Sequence, residues 1–125
     1  MRLDWYKLEP YRKYVEKAPD ANGVYALCTL QDNNKYKVRY VGQGNLADRL
    51  KYHLSDQEEN ESLKAHIAKG YTMKAVYARV SKKSERYGIE LFLYNYFEPK
   101  YNRNAPPGDE EIEVNLFTLD YDNAK

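Results

Sequence analysis

Residues 24–30 form a short apolar run, Val-Tyr-Ala-Leu-Cys-Thr-Leu, and residues 36–41 alternate between apolar and polar side chains. The polar stretch Gln31-Asp32-Asn33-Asn34 lies between them, and two strand patterns flanking turn chemistry predict a β-hairpin. A four-residue loop pairs Leu30 with Lys35. Carried back along the strands, that register sets Tyr25 directly opposite Tyr40, two phenols side by side on one face.

Other elements follow from the same reading. Pro10 suits a first helical turn, and Tyr11, Tyr14 and Val15 recur at helical spacing, so residues 1–17 are expected to hold a short helix or two. Pro19-Asp20-Ala21-Asn22-Gly23 breaks that pattern. Past the hairpin, Gly42-Gln43-Gly44 ends the second strand and Asn45 can cap a helix running to about Leu54. On that helix Arg49 and His53 are four apart and share one face, while Leu46 and Leu50 share another. The charged run at 56–61 reads as a solvated connection. It leads to a short helix through Leu63, His66 and Ile67, which Gly70 stops, and residues 71–80 look like a third strand. Ser84 is placed to cap the clearest helix, whose Ile89, Phe92, Leu93, Tyr96 and Phe97 make a core-facing stripe. Glu90 sits about 100° from Ile89, at the flank of the stripe. Gly88 costs that helix about 1 kcal/mol relative to Ala and so points to a close backbone approach. Pro99 ends the helix, Tyr101-Asn102 follow in an extended turn, and Ile112 to Leu119 can add a late edge strand.

Composition narrows the class. The chain is 125 residues long, 42% hydrophobic and 31% charged, the size and balance of one globular domain. No stretch approaches the roughly 18 apolar residues of a membrane span, and the first residues lack the apolar run of a signal peptide. One cysteine, Cys28, leaves no internal disulfide and no cysteine-based zinc cluster, which points to a reducing, cytoplasmic setting. The net charge of +1 hides an asymmetry: residues 1–105 hold 19 Lys/Arg against 13 Asp/Glu, residues 106–125 one Lys against six Asp/Glu. A mildly basic body permits a polyanionic partner without requiring one. The acidic tail reads as a solvated end, with a mimic that screens the basic face as the alternative. Tyrosine is abundant, 14 copies against 3 Phe and one Trp, and most of these rings are expected half-buried at the edge of the core.

The two triplets Gly23-Val24-Tyr25 and Tyr40-Val41-Gly42, with Arg49 and His53 after them, resemble the GIY-YIG nuclease superfamily. Glu90 leading to Pro99-Lys100-Tyr101-Asn102 is similar to that family's metal-binding Glu and closing Asn. The likeness covers residues 19–104. It implies an α+β fold, a small, mainly antiparallel three-stranded sheet flanked by helices in the order β-β-α-β-α. Residues 1–105 would form the nuclease-like domain, with a helical extension at 1–18, and residues 106–125 the acidic tail. The activity implied is metal-dependent hydrolysis of phosphodiester bonds, in DNA or in RNA, with DNA favoured. A protein partner that supplies targeting would explain the short chain. Where Gln43 stands the family often has Lys, so a cationic phosphate contact is missing.

The chemistry of these residue types fits that implication. Glu90 can hold one Mg²⁺ or Mn²⁺, which keeps waters and accepts phosphate oxygens. Arg49 can grip the scissile phosphate through two parallel hydrogen bonds. By resemblance Tyr25 would be the general base, its pKa lowered by the metal and Arg49. Tyr40 would position water or phosphate, His53 would assist proton transfer, and Asn102 would orient a neighbour. Gly42, Gln43, Asn45 and Lys51 are assigned to substrate contact. Singly, each residue has a plainer reading. Tyr25 and Tyr40 can be a cross-strand aromatic pair, Glu90 an i,i+4 partner of Arg86, His53 a solvated helix residue, and Asn102 the closure of a turn. His66 has no assigned role. A non-catalytic module that binds nucleic acid or protein on the same scaffold is the rival reading. It would retain DNA without cutting it.

Overall fold

The computed structural model describes residues 1–121. Its elements in chain order are β1 (Tyr6–Leu8), α1 (Tyr11–Tyr14), a 3₁₀ turn (Val15–Lys17), β2 (Asn22–Leu30), β3 (Tyr36–Asn45), α2 (Leu46–His53), α3 (Glu61–Ala68), β4 (Met73–Arg79) and α4 (Lys83–Phe97). The four strands form one antiparallel sheet in the order β1-β4-β2-β3.

The class is α+β, and the sheet has one strand more than expected. The fourth is β1, only three residues long and held by pairing Tyr6 with Tyr77 and Leu8 with Ala75. So brief a strand carries almost no pattern of its own, and tertiary pairing creates it. β2 is apolar throughout because it is covered on both sides. On one face Val24, Ala26, Cys28, Val38 and Val41 pack against Ile89 and Leu93 of α4. On the other Tyr25 and Leu27 pack against Leu46 and Leu50 of α2 and Leu63 and Ile67 of α3.

The hairpin register differs from the expected one. Leu30 pairs with Tyr36, so the loop spans five residues, closed by the Gln31 N–H on the Lys35 carbonyl and by Asn34 in the left-handed region (φ 67°). A bulge follows. Cys28 pairs with Val38 and Leu27 with Tyr40, leaving Arg39 as the extra residue, and Tyr25 therefore faces Gly42 rather than Tyr40. The cause is apolar spacing. Tyr36, Val38 and Val41 all enter one core, and steps of two and then three residues reach one face only if a residue is inserted. The bulge also turns Tyr40 to the opposite face, where it remains a diagonal neighbour of Tyr25. Their ring centroids lie 6.3 Å apart with planes 26° apart.

The remaining differences are local. α4 starts at Lys83, so Ser84 lies inside its first turn and makes no cap; at the far end Glu98 adopts the left-handed conformation (φ 48°) ahead of Pro99. Residues 112–119 form no strand; the isolated bridge nearby, Lys35 with Asp120, falls just past them. The segment is not a solvated tail either. Ile112, Phe117 and Leu119 pack around buried Val114 on the α4 side of the sheet. Asn115 bonds both backbone groups of Leu3, the Lys74 ammonium donates to the Thr118 carbonyl, and the Ile112 N–H donates to Gly88. A Cβ on Gly88 would lie 2.6 Å from Ile112 Cγ1, the close approach its place in the helix implied. Three tyrosines are buried rather than half-buried: Tyr11 and Tyr36 donate their hydroxyls to the Leu50 carbonyl and Glu9, and the Tyr25 hydroxyl is hydrogen-bonded to His53.

Candidate active site

β3 is an edge strand, so side chains from both faces of the sheet can meet around it. α2 leaves directly from its end. The Asn45 side chain caps that helix by accepting from the Asp48 N–H (3.0 Å) and donates to Asp20 (2.8 Å). This start aims Arg49 and His53, one turn apart, at the Tyr25 face. From the other face α4 brings Glu90 round the β3 edge. Arg49 and Glu90 line a cleft of about 340 Å³, to which Tyr40, Tyr52, Glu58 and Asn102 also contribute, while buried His53 lies behind it.

Tyr25 lies under the floor of this cleft, fully buried. Its hydroxyl meets His53 Nε2 at 2.7 Å, and His53 Nδ1 meets Glu58 Oε2 at 2.5 Å. The other Glu58 oxygen accepts the Asn60 N–H at 2.9 Å. Asn60 in turn caps α3 through the Leu63 N–H and donates to the Tyr101 carbonyl. His53 and Glu58 are themselves buried. The plainer reading of His53 as a solvated helix residue thus fails, and of the 56–61 linker, expected to be solvated, Glu58 and Asn60 are buried while Asp56, Gln57, Glu59 and Glu61 remain exposed.

Burial also reverses one expectation about the phenols. It pushes the Tyr25 pKa up, and Arg49, the positive charge facing both phenols, offsets this only in part. With no exposed surface, Tyr25 cannot reach a substrate as general base. Tyr40 is the phenol that faces the cleft; burial raises its pKa too, again opposed first by Arg49. Its ring meets His53 edge-on at 4.8 Å. The Arg49 guanidinium carbon sits 5.0 Å over the Tyr52 ring, which leaves the donor fork at the cleft wall.

Glu90 is the one acid of the cleft with an unmet need. Its Oε1 is buried and has no hydrogen-bond partner. Burial raises its pKa to about 7 against the pull of Arg49. The plainer reading as a partner of Arg86 fails, because Arg86 donates instead to Gln43 and to the carbonyls of Val80 and Ser81. A buried carboxylate oxygen lacking a donor suits a cation. Among the described residues no group of three or more His, Cys, Asp or Glu could hold one. A single carboxylate with open space around it fits Mg²⁺ or Mn²⁺, which keeps most of its waters.

Asn102 reaches the cleft through the backbone. Its side chain accepts from the Val41 N–H and donates to the Val41 carbonyl, both at 2.9 Å, clamping the residue between Tyr40 and Gly42. The side chains assigned to substrate contact go elsewhere. Gln43 accepts from Arg86 (3.0 Å), Asn45 caps α2, Lys51 pairs with Glu16 (3.2 Å), and Gly42 makes room for Tyr25. His66 is buried, bonded to Thr29 and set between the rings of Tyr71 and Tyr101. The residues missed in the sequence are Glu58, Asn60 and Tyr52. Asn60 stands ahead of Glu61-Ser62-Leu63 as an N-cap signal, whereas nothing separates Glu58 from its acidic neighbours.

Sheet, edge cleft and this set of side chains define a GIY-YIG nuclease scaffold. The magnesium-bound GIY-YIG N-terminal endonuclease domain of UvrC from Thermotoga maritima is 26% identical, with a TM-score of 0.57 over 74% of this chain and 94% of that one. A point mutant of the same domain, bound to its catalytic divalent cation, is 25% identical, with a TM-score of 0.58 over 75% of this chain and 96% of that one. The chain belongs to the family described as Domain of unknown function (DUF7508), whose model matches residues 1–86. No curated protein matches it. Among the described residues no helix is long and apolar enough to cross a membrane.

Proposed function

We propose that this chain is a metal-dependent endonuclease of the GIY-YIG type, hydrolysing phosphodiester bonds in DNA. One observation carries the reading: Tyr40, Arg49 and the partnerless buried oxygen of Glu90 line the same cleft. Arg49 holds the scissile phosphate and stabilises charge that develops on its oxygens. Tyr40 takes the proton of the attacking water, and Tyr25, His53 and Glu58 form the rigid floor that fixes Tyr40 and Arg49. Mg²⁺ or Mn²⁺ held by Glu90 would polarise a phosphate oxygen and favour ionisation of nearby water and phenol. Asn102 keeps the β3 edge, and with it Tyr40, in place. A reducing, cytoplasmic setting accords with the single, buried Cys28.

The test is cleavage of supercoiled plasmid and of branched DNA with Mg²⁺ or Mn²⁺, beside Glu90→Ala, Arg49→Ala and Tyr40→Phe. The expected result is metal-dependent nicking by the native protein and its loss in all three variants. DNA retention without cleavage, unchanged by Glu90→Ala, would replace this reading with a binding module.

A further inference from the structure

From Glu58 at the cleft wall inward, the hydrogen-bonded chain Glu58–His53–Tyr25 has a direction. Glu58 lies within hydrogen-bond reach of two groups, the Asn60 N–H and His53 Nδ1. These bonds hold its pKa below the usual carboxylate value against the upward push of burial, so it is an ionised acceptor. An ionised carboxylate only accepts, so Nδ1 must carry the proton. Burial lowers the His53 pKa, and the neutral ring then has a bare Nε2. Among the described residues the hydrogen-bond partner of Nε2 is the Tyr25 hydroxyl, 2.7 Å away, which must then donate.

We propose that Glu58 is a positioning residue for the cleavage reaction: it locks His53 as the Nδ1–H tautomer, which fixes the imidazole between the Tyr25 hydroxyl at 2.7 Å and the Tyr40 ring at 4.8 Å and so holds the Tyr40 phenol at the cleft. The proposal rests on the nuclease reading and adds to it a residue outside the two triplets, Arg49, Glu90 and Asn102. Nothing in the chain is spare. Each oxygen of Glu58 has its own donor, and Asn60, which fixes one of them, is anchored to α3 and to the Tyr101 carbonyl. Carboxylate–histidine pairs orient functional groups in this way, and their loss costs on the order of 10–100-fold.

The groups that act on the lock come from every side. His53 faces Tyr25 of β2, Tyr40 of β3, Arg49 and Tyr52 of α2, and Glu58 of the linker. Glu58 also feels Arg49, and Tyr11 of α1 and Tyr40 feel it; Glu90 of α4 bears on both phenols of the sheet. Glu58 raises the His53 pKa while burial and Arg49 lower it. Replacing Glu58 by a neutral residue should therefore lower the His53 pKa further, a change that ring ¹⁵N shifts across pH read directly. Lost packing alone would lower the rate and leave the His53 pKa where it was.

The experiment compares native protein with Glu58→Gln and Glu58→Asp in plasmid cleavage, and reads the His53 tautomer and pKa of each from ring ¹⁵N shifts across pH. Expected are an Nδ1–H tautomer in the native protein, a kcat in Glu58→Gln reduced roughly 10–100-fold with the His53 pKa lowered, and partial recovery of both in Glu58→Asp. Native-like kcat and His53 pKa in Glu58→Gln, or an Nε2–H tautomer in the native protein, would overturn the lock. The ¹⁵N measurement on the native protein needs no variant to fold and no substrate. A native protein that shows the Nδ1–H tautomer yet cuts nothing would refute the nuclease reading rather than the tautomer.

Discussion

A Cβ placed on Gly42 would lie 2.4 Å from the hydroxyl oxygen of Tyr25. The glycine of the second triplet is thus the bed on which the tyrosine of the first one rests. Since Tyr25 is buried and bonded to His53, its ring has nowhere to retreat. Gly42→Ala is expected to cost about 1–3 kcal/mol, as overpacking of a filled core does. The denaturation midpoint should fall with the m-value unchanged. Nicking activity should fall with it, because the displaced phenol disturbs both His53 and Arg49.

Asn102 is expected to matter through Val41 rather than through substrate. Asn102→Ala leaves an N–H and a carbonyl of the edge strand without their partner, a loss of about 1–3 kcal/mol. Asn102→Asp is the sharper probe. A carboxylate can accept from the Val41 N–H but is repelled by the Val41 carbonyl, whereas a protonated carboxyl can donate to it. This variant should therefore gain stability relative to native as pH falls through its own pKa, near ~4 or above. Thermal melts at two pH values read the difference, and equal gaps at both would argue against the clamp.

How much of this was legible in the sequence depended on whether the signal was local. The helix α4, the cap at Asn45 and the apolar run of β2 are written in adjacent residues and formed where they were expected, although Tyr96 of the expected core-facing stripe of α4 is 58% exposed. The bulge at Arg39 was written too, in the adjacent apolar pair Tyr40-Val41 that breaks the alternation of β3, but a uniform register passes over it. What could not be read was set by distant partners. β1 exists because β4 offers it an edge, and residues 112–119 are covered because α4 and Leu3 receive them. Within the site, the residue types of the cleft were legible as a motif. Their geometry was not, and it moved the accessible phenol from Tyr25 to Tyr40. Glu58 stayed hidden because one buried acid within an acidic run carries no local mark.

Gly88 sets two effects against each other. Alanine there should favour α4 by about 1 kcal/mol through helix propensity. Its Cβ, however, would meet Ile112 Cγ1 at 2.6 Å and the backbone carbonyl of Glu110 at 2.9 Å. A side chain can rotate away, but a backbone carbonyl held against the helix cannot, so overpacking of about 1–3 kcal/mol should win. Gly88→Ala is expected to be less stable than native, with faster hydrogen exchange at the Ile112 N–H that bonds Gly88. A more stable variant would mean that the segment after residue 105 is held too weakly to resist.

Glu90 offers a test of the metal site that needs no substrate. Its carboxyl pKa is raised from 4.5 to about 7, first by burial and against the pull of Arg49, so the native protein holds this proton more tightly than the unfolded chain does. Stability from that proton is complete below the unfolded value and is lost as pH rises through about 7. In chelator the native protein should therefore melt progressively lower as pH climbs from 4.5 to about 7 and level off above that, while Glu90→Gln should lack this dependence and be the more stable of the two in alkaline buffer. Added Mg²⁺ should reverse the order. Ions bound by ionised Glu90 stabilise the native protein, by ~2.7 kcal/mol at a hundredfold excess over Kd, and leave Glu90→Gln unmoved. Equal metal-induced shifts in both proteins would place the cation elsewhere and remove Glu90 from the site.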